Sequence, residues 1–251
     1  MILNVERYGT GEQVVFIHGS GGSTMSWYFQ KGRLGESIET ILVDLPGHGK
    51  MKGEKSFDSI DDCMKSVLET VRAIGLNRFY IAGHSMGGAV AMLFAFEHPE
   101  MLKGMILIGS GARLKVLPQI LNGIREDKEG TVARIINLAF SKKAAESLKE
   151  SSLKEMIKTD AQVLYNDFYA CDRFDLMSSL DKIHVPTLIV CGKDDLLTPP
   201  KYSHYLADVI KGSSLVLIGD AGHMVMLEKP KEFNDAIMDF VKKTDKLAPN
   251  K

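Results

Sequence analysis

The chain has 251 residues, 45% hydrophobic and 25% charged, enough apolar material for the core of one large α/β domain or two small ones. Its formal net charge of −1 leaves no electrostatic footprint for nucleic acid or an anionic membrane surface. The three cysteines, Cys63, Cys171 and Cys191, are odd in number and far apart, which excludes a disulfide framework and a Cys-x-x-Cys metal pair.

The first seven residues are charged too early for a signal peptide. No apolar run approaches the ~20 residues of a membrane span. The expectation is a cytoplasmic protein, monomer or homodimer, acting on a small-molecule substrate without metal or cofactor. Along the chain, residues 14–17, 40–43, 79–82, 105–108, 186–191 and 214–218 are short apolar runs that read as buried strands. Their near-continuous apolar character points to a parallel sheet covered on both faces. Between them, residues 57–74 carry Ile60, Met64, Val67, Val71 and Ile74 at helical spacing, with Gly75 placed as a stop. An Ala-rich helical pattern at 89–95 follows the third run.

From Arg113 to Asp181 the alternation breaks and only helical stripes remain. Val116, Ile120 and Ile124 form one; Val132, Ile135, Ile136 and Ala139 a second; Leu153, Met156, Ile157, Leu164 and Phe168 a third. This predicts a helical cap (113–180) inserted after the sixth predicted element into a core built from residues 1–112 and 181–251. Extra helices on the side of the sheet are the alternative. Lys-rich stretches at 141–143 and 149–158 read as solvated faces. Residues 242–251 are polar and read as a frayed end.

The chemistry concentrates at the ends of these strands. The third run leads into Gly83-His84-Ser85-Met86-Gly87, a strand-to-helix turn that pushes a serine hydroxyl out at the sheet edge. Alone, it could equally be a Ser-Gly turn between core elements. A serine needs a base, and a base needs an orienting acid. Of seven histidines, His223 stands on a loop just past the last strand, whereas His18 lies in a Gly-rich turn and His204 in a polar helix. Asp194 and Asp195 follow the strand ending at Cys191, and only one of two adjacent carboxylates can face His223. The chain order Ser…Asp…His suits the elbow. Backbone N–H groups for a developing oxyanion are expected from Met86, after the serine, and from Ser20 in His18-Gly19-Ser20-Gly21-Gly22-Ser23. That loop completes no phosphate-binding fingerprint.

With these residues placed, the chain resembles the α/β-hydrolase family over residues 2–112 and 181–243. His18-Gly19 is similar to its oxyanion loop and Asp44-Leu45-Pro46-Gly47-His48-Gly49 to its Asp-x-Pro-Gly-x-Gly turn. Gly83 to Gly88 resembles the nucleophile elbow, and Gly192 to Pro199 fits Gly-x-x-Asp-x-x-x-Pro, which selects Asp195 as the acid. Gly222-His223 with Glu228 and Pro230 resembles the family's ending. The resemblance implies an α/β fold, a mostly parallel twisted sheet of about seven strands with helices on both faces. Two departures stand out: only residues 2–7 precede the Gly9-Thr10-Gly11 turn where the family has a hairpin, and Lys50, read as a neutral surface change, replaces a small residue.

The implied activity is hydrolysis of carboxylic esters through an acyl-enzyme on Ser85, with His223 as base and Asp195 as acid. The cap stripes with Trp27, Tyr28 and Phe29 point to a largely apolar pocket. The same triad could serve a lactone, a carbon–carbon bond or a proline iminopeptide. Some proteins of this fold are instead small-molecule sensors. The iminopeptidase version lacks an acidic cluster in the cap.

Overall fold

The computed structural model describes residues 1–34 and 37–247. The strands β1 (Asn4–Tyr8), β2 (Glu12–Ile17), β3 (Ile38–Asp44), β4 (Phe79–His84), β5 (Leu102–Ile108), β6 (Thr187–Gly192) and β7 (Ser214–Ile218) form one sheet, ordered β1-β3-β2-β4-β5-β6-β7. β1 runs antiparallel to β3 and every other pairing is parallel. The seven-stranded, mostly parallel sheet agrees with the sequence reading, with β1 as a single N-terminal edge strand.

Helices follow in the order α1 (Ile60–Ala73), α2 (Met86–Glu97), α3 (Pro118–Glu126), α4 (Lys128–Ala139) and α5 (Glu146–Ile157). Then come α6 (Ala161–Arg173), α7 (Pro200–Val209), α8 (Val225–Glu228) and α9 (Pro230–Leu247). Alternation along a strand sends side chains to opposite faces. In β2, Val15 and Ile17 join a core with α1, α2 and α7, while Val14 and Phe16 join the core of α8 and α9. Because helices cover both faces, the run needs no polar positions, and this is why it reads as continuous in the sequence.

Helix α1 shows how local chemistry sets an element. The Ser59 hydroxyl accepts from the Asp62 N–H at 3.1 Å, Asp61 and Asp62 sit in the first turn, and Gly75 closes the end at φ 77°. Its buried face of Ile60, Met64, Val67 and Val71 contributes ~1.5–3 kcal/mol per side chain.

Helices α3 to α6 lie between β5 and β6 and share a core of their own around Ile124, Val132, Ile136, Met156 and Leu164. An isolated antiparallel bridge between Arg113 and Asp175 closes the base of this insertion. The sequence reading needs three adjustments. Its third stripe is two helices: the chain breaks at 158–160, where the Asp160 carboxylate caps α6 by accepting from the Gln162 N–H at 2.8 Å. Trp27 is fully buried in the sheet core, leaving Tyr28 and Phe29 to face a cavity. Residues 242–247, read as part of a frayed end, continue α9, where Val241 packs in the core and Asp245 pairs with Lys103 at 3.8 Å. Residues 248–251 lie outside the described chain. No described helix is long and apolar enough to cross a membrane.

Candidate active site

The chain passes from β2 to β3 on one side and reaches β4 on the other, so the carboxyl ends of β2 and β4 flank a topological switch point. Crevices at such points are where open α/β sheets bind ligands. Ser85 sits there, between the last residue of β4 and the first of α2, at φ 52°, ψ −115°. That backbone is strained for a residue with a Cβ, and surrounding hydrogen bonds hold it. The Ser85 N–H donates to the Ile108 carbonyl at 2.9 Å. The Ser85 carbonyl accepts from the Gly88 N–H at 2.9 Å, the Ala89 N–H at 3.3 Å and the Ser110 hydroxyl at 2.9 Å. The flanking glycines make room: a Cβ on Gly83 would lie 2.0 Å from the Gly87 oxygen, and one on Gly87 2.3 Å from the Ile17 oxygen.

His223 and Asp195 come from the loops after β7 and β6. The His223 Nδ1–H donates to Asp195 Oδ2 at 2.9 Å, with both side chains buried. Asp195 Oδ1 accepts from the Leu197 and Thr198 N–H groups at 2.9 and 2.8 Å, and Oδ2 also accepts from the Thr198 hydroxyl at 2.8 Å. Burial works to raise the Asp195 pKa, but the His223 charge and these donors outweigh it and hold the carboxyl below its usual range. Asp194, by contrast, is exposed.

The His223 loop is fixed from two sides. The His223 N–H donates to the Ala139 carbonyl at the end of α4, at 2.7 Å. Glu228 accepts from the Gly222 N–H at 2.8 Å and from the Ser141 N–H at 2.9 Å, linking that loop to the insertion. His84, beneath it, faces the His223 carbonyl through Nε2 at 3.1 Å, with the two rings 4.5 Å apart. Burial, with the charge of His223 beside it, drives the His84 pKa well down, so its Nε2–H donates from a neutral ring.

The Ser20 loop presses on the elbow: a Cβ on Gly19 would be 3.1 Å from the Ser85 Cβ. The Ser20 hydroxyl lies 3.6 Å from the Met86 sulfur. Among the described residues, neither the Ser20 nor the Met86 backbone N–H has a hydrogen-bond partner. A cavity of about 360 Å³ opens over Ser85 and His223. Its walls are Tyr28, Phe29, Met224 and Leu227 from the core and Ile135, Ile136, Leu148, Met156 and Phe168 from the insertion, with Glu155 as the charged side chain among them. Ser20, Ser23, Ser26, Ser151 and Ser152 also line it. Among the described residues, no group of three His, Cys, Asp or Glu side chains is arranged to hold a metal ion.

Of the residues singled out in the sequence, Ser85, His223 and Ser20 line this cavity, Asp195 is hydrogen-bonded to His223 and Met86 directly follows Ser85. Sequence reasoning missed Thr198, His84 and the anchoring work of Glu228. Of these only Glu228 had a signal, as part of the Gly-His ending. Lys50, read as neutral, pairs its Nζ with Glu6 at 3.0 Å.

The family model described as "Alpha/beta hydrolase family" matches residues 14–236. The chain belongs to the alpha/beta hydrolase family. It is 30% identical to a pimeloyl-[acyl-carrier protein] methyl ester esterase of Neisseria meningitidis serogroup B, over 92% of this chain and 93% of that protein. It is 26% identical to a monoacylglycerol lipase of Xenopus laevis, over 97% of this chain and 79% of that one. A solved thermophilic esterase superposes with a TM-score of 0.83 at 34% identity, covering 96% of this chain and 99% of that one. The alpha/beta hydrolase described here is therefore a hydrolase with esterase- and lipase-type relatives.

Proposed function

We propose that this alpha/beta hydrolase cleaves carboxylic esters of small to medium, largely apolar substrates through an acyl-enzyme on Ser85. The observation that carries the reading is the buried Asp195–His223 hydrogen bond at the edge of the cavity that Ser85 also lines. With Nδ1 donating to Asp195, the other ring nitrogen of His223 is an acceptor, the tautomer a base needs.

In this reading Ser85 Oγ attacks the ester carbonyl carbon as His223 Nε2 takes its proton. The oxygen gains negative charge against the Ser20 and Met86 N–H groups, where loss of one donor costs ~3 kcal/mol of transition-state stabilisation. His223 then gives the proton to the departing alcohol, and water, activated by the same base, releases the acid and restores Ser85. The Asp195 carboxylate holds the tautomer and stabilises the imidazolium. The insertion, residues 113–180, acts as the lid that selects the acyl chain, through Ile135, Ile136, Met156 and Phe168.

The test is labelling with a fluorophosphonate probe, followed by turnover of p-nitrophenyl esters of increasing acyl length. Ser85→Ala is expected to abolish both labelling and turnover, and full ester turnover by that variant overturns the mechanism. Lactones and prolyl anilides in the same panel distinguish other bonds, and probe labelling with no turnover of any substrate would indicate a sensor.

A further inference from the structure

Asp167 is a carboxylate in the middle of α6, only 3% exposed, and makes no hydrogen bond to Ser85, Asp195 or His223. Its Oδ2 accepts the Gly21 backbone N–H at 2.8 Å and lies 2.9 Å from Nε2 of His48. One oxygen from the insertion thereby ties together two loops of the sheet domain, the Ser20 loop after β2 and the turn after β3.

The protonation of the partners follows from geometry. His48 Nδ1 faces the Pro46 carbonyl at 3.1 Å while Nε2 faces Asp167, so both ring nitrogens look at acceptors and the ring is satisfied only as the imidazolium. Burial opposes that charge, yet Asp167 outweighs it and raises the His48 pKa. His18, whose ring is 4.9 Å away, is the reverse: its Nε2 accepts the Leu45 N–H at 3.0 Å, so it must be neutral. Burial, with the His48 charge, pushes His18 down to about 3. Asp167 Oδ2 therefore holds two partners at once, the Gly21 N–H and the His48 ring.

The packing is equally close. A Cβ on Gly21 would be 2.6 Å from Leu164, and one on Gly47 2.8 Å from Val163, so α6 lies directly on both loops. Gly21 follows Ser20, and a peptide unit is rigid and planar. Fixing the Gly21 N–H fixes the plane from Ser20 Cα to Gly21 Cα. The Gly22 N–H donates to the Gly19 carbonyl at 3.0 Å and closes the tight turn across Ser20, which confines the preceding plane, the one that carries the Ser20 N–H.

We propose that Asp167 is a positioning residue for the ester hydrolysis described above: by gripping the Gly21 amide and His48 at once, it seats the Ser20 N–H where the oxyanion forms. It touches no substrate. The proposal rests on the Ser85 reading and adds a route by which the insertion governs the chemical step as well as the pocket.

The experiment compares wild type, Asp167→Asn, Asp167→Ala and Ser85→Ala. A trifluoromethyl ketone, which forms a tetrahedral oxyanion adduct on the serine, is set against the matching methyl ketone, which binds as ground state. In Asp167→Asn, kcat and trifluoromethyl ketone affinity should each fall about tenfold, a fraction of what losing a donor outright causes. KM and methyl ketone affinity should stay within about twofold. A variant with a lower Tm but unchanged kcat and ketone ratio would mark Asp167 as merely structural and overturn the proposal. Amide hydrogen exchange at Gly21 needs no turnover: strong protection in wild type, lost in Asp167→Ala, which removes the acceptor, is expected. If the Asp167 variants do not fold, wild-type exchange decides, and a Gly21 amide as fast as an open loop overturns the clasp. If wild type turns over no ester, the Ser85 reading has failed on its own, while Gly21 exchange still tells whether Asp167 holds the loop.

Discussion

Asp195 illustrates how one residue is specified by its neighbours. Its carboxylate is buried and accepts from His223, two backbone N–H groups and the Thr198 hydroxyl, while Asp194 beside it is exposed. Replacing Asp195 with Asn keeps the shape but removes the charge that stabilises the imidazolium, and should lower kcat by about 10³–10⁴-fold. Asp194→Asn should leave kcat within about twofold, since an exposed side chain has nothing to orient. Steady-state kinetics on a short p-nitrophenyl ester checks both. Neither burial nor partner was readable from two adjacent aspartates, and only the spacing to Pro199 separated them. Thr198 was not legible at all, because a hydroxyl near an acid carries no pattern of its own.

At the scale of elements, the β4–α2 turn carries its instructions locally. The apolar run of β4, glycines on both sides of Ser85 and an Ala-rich helix all agree, so the sequence predicts the turn and the structure has it. Gly83→Ala should destabilise the protein by more than about 4 kcal/mol, or prevent folding, because the new methyl would meet backbone on the facing turn and not a movable side chain. Thermal or urea unfolding measures it. The strands were legible for the same reason: burial on both faces leaves a run with no polar interruption. The insertion was legible only as helical stripes. How its helices sit depends on contacts such as Asp167 to Gly21, 146 positions apart, which no local pattern encodes. The split between α5 and α6 was lost because apolar spacing continues across a short capped break.

Across the whole molecule, the edge strand β1 is secured by charge. Arg7 donates to both oxygens of Glu39 at 2.7 and 2.9 Å, and Glu6 pairs with Lys31 and Lys50 at 2.9 and 3.0 Å. Partial burial works to raise the Glu6 pKa, but Lys31, Lys50 and Tyr8 outweigh it and lower the value from 4.5 to about 2. A folded pKa below the unfolded one gives stability that is present above pH 4.5 and lost as pH falls through about 2. Glu6→Gln should therefore flatten the loss of stability over that interval, read as Tm against pH. These ion pairs tie β1 to β3 and to the Lys31 and Lys50 side chains. One further link spans the molecule: the amide of His223 bonds to Ala139, and Glu228 bonds to both the His223 loop and Ser141. The insertion and the loop that carries His223 are thus bonded directly to one another. Exchanging the helical insertion between relatives as a cassette would also exchange the backbone anchor of His223. If the proposed function holds, changes at positions facing the cavity leave this junction intact, while a larger rearrangement of the insertion disturbs the contact of residues 139–141 with the His223 loop and with Glu228.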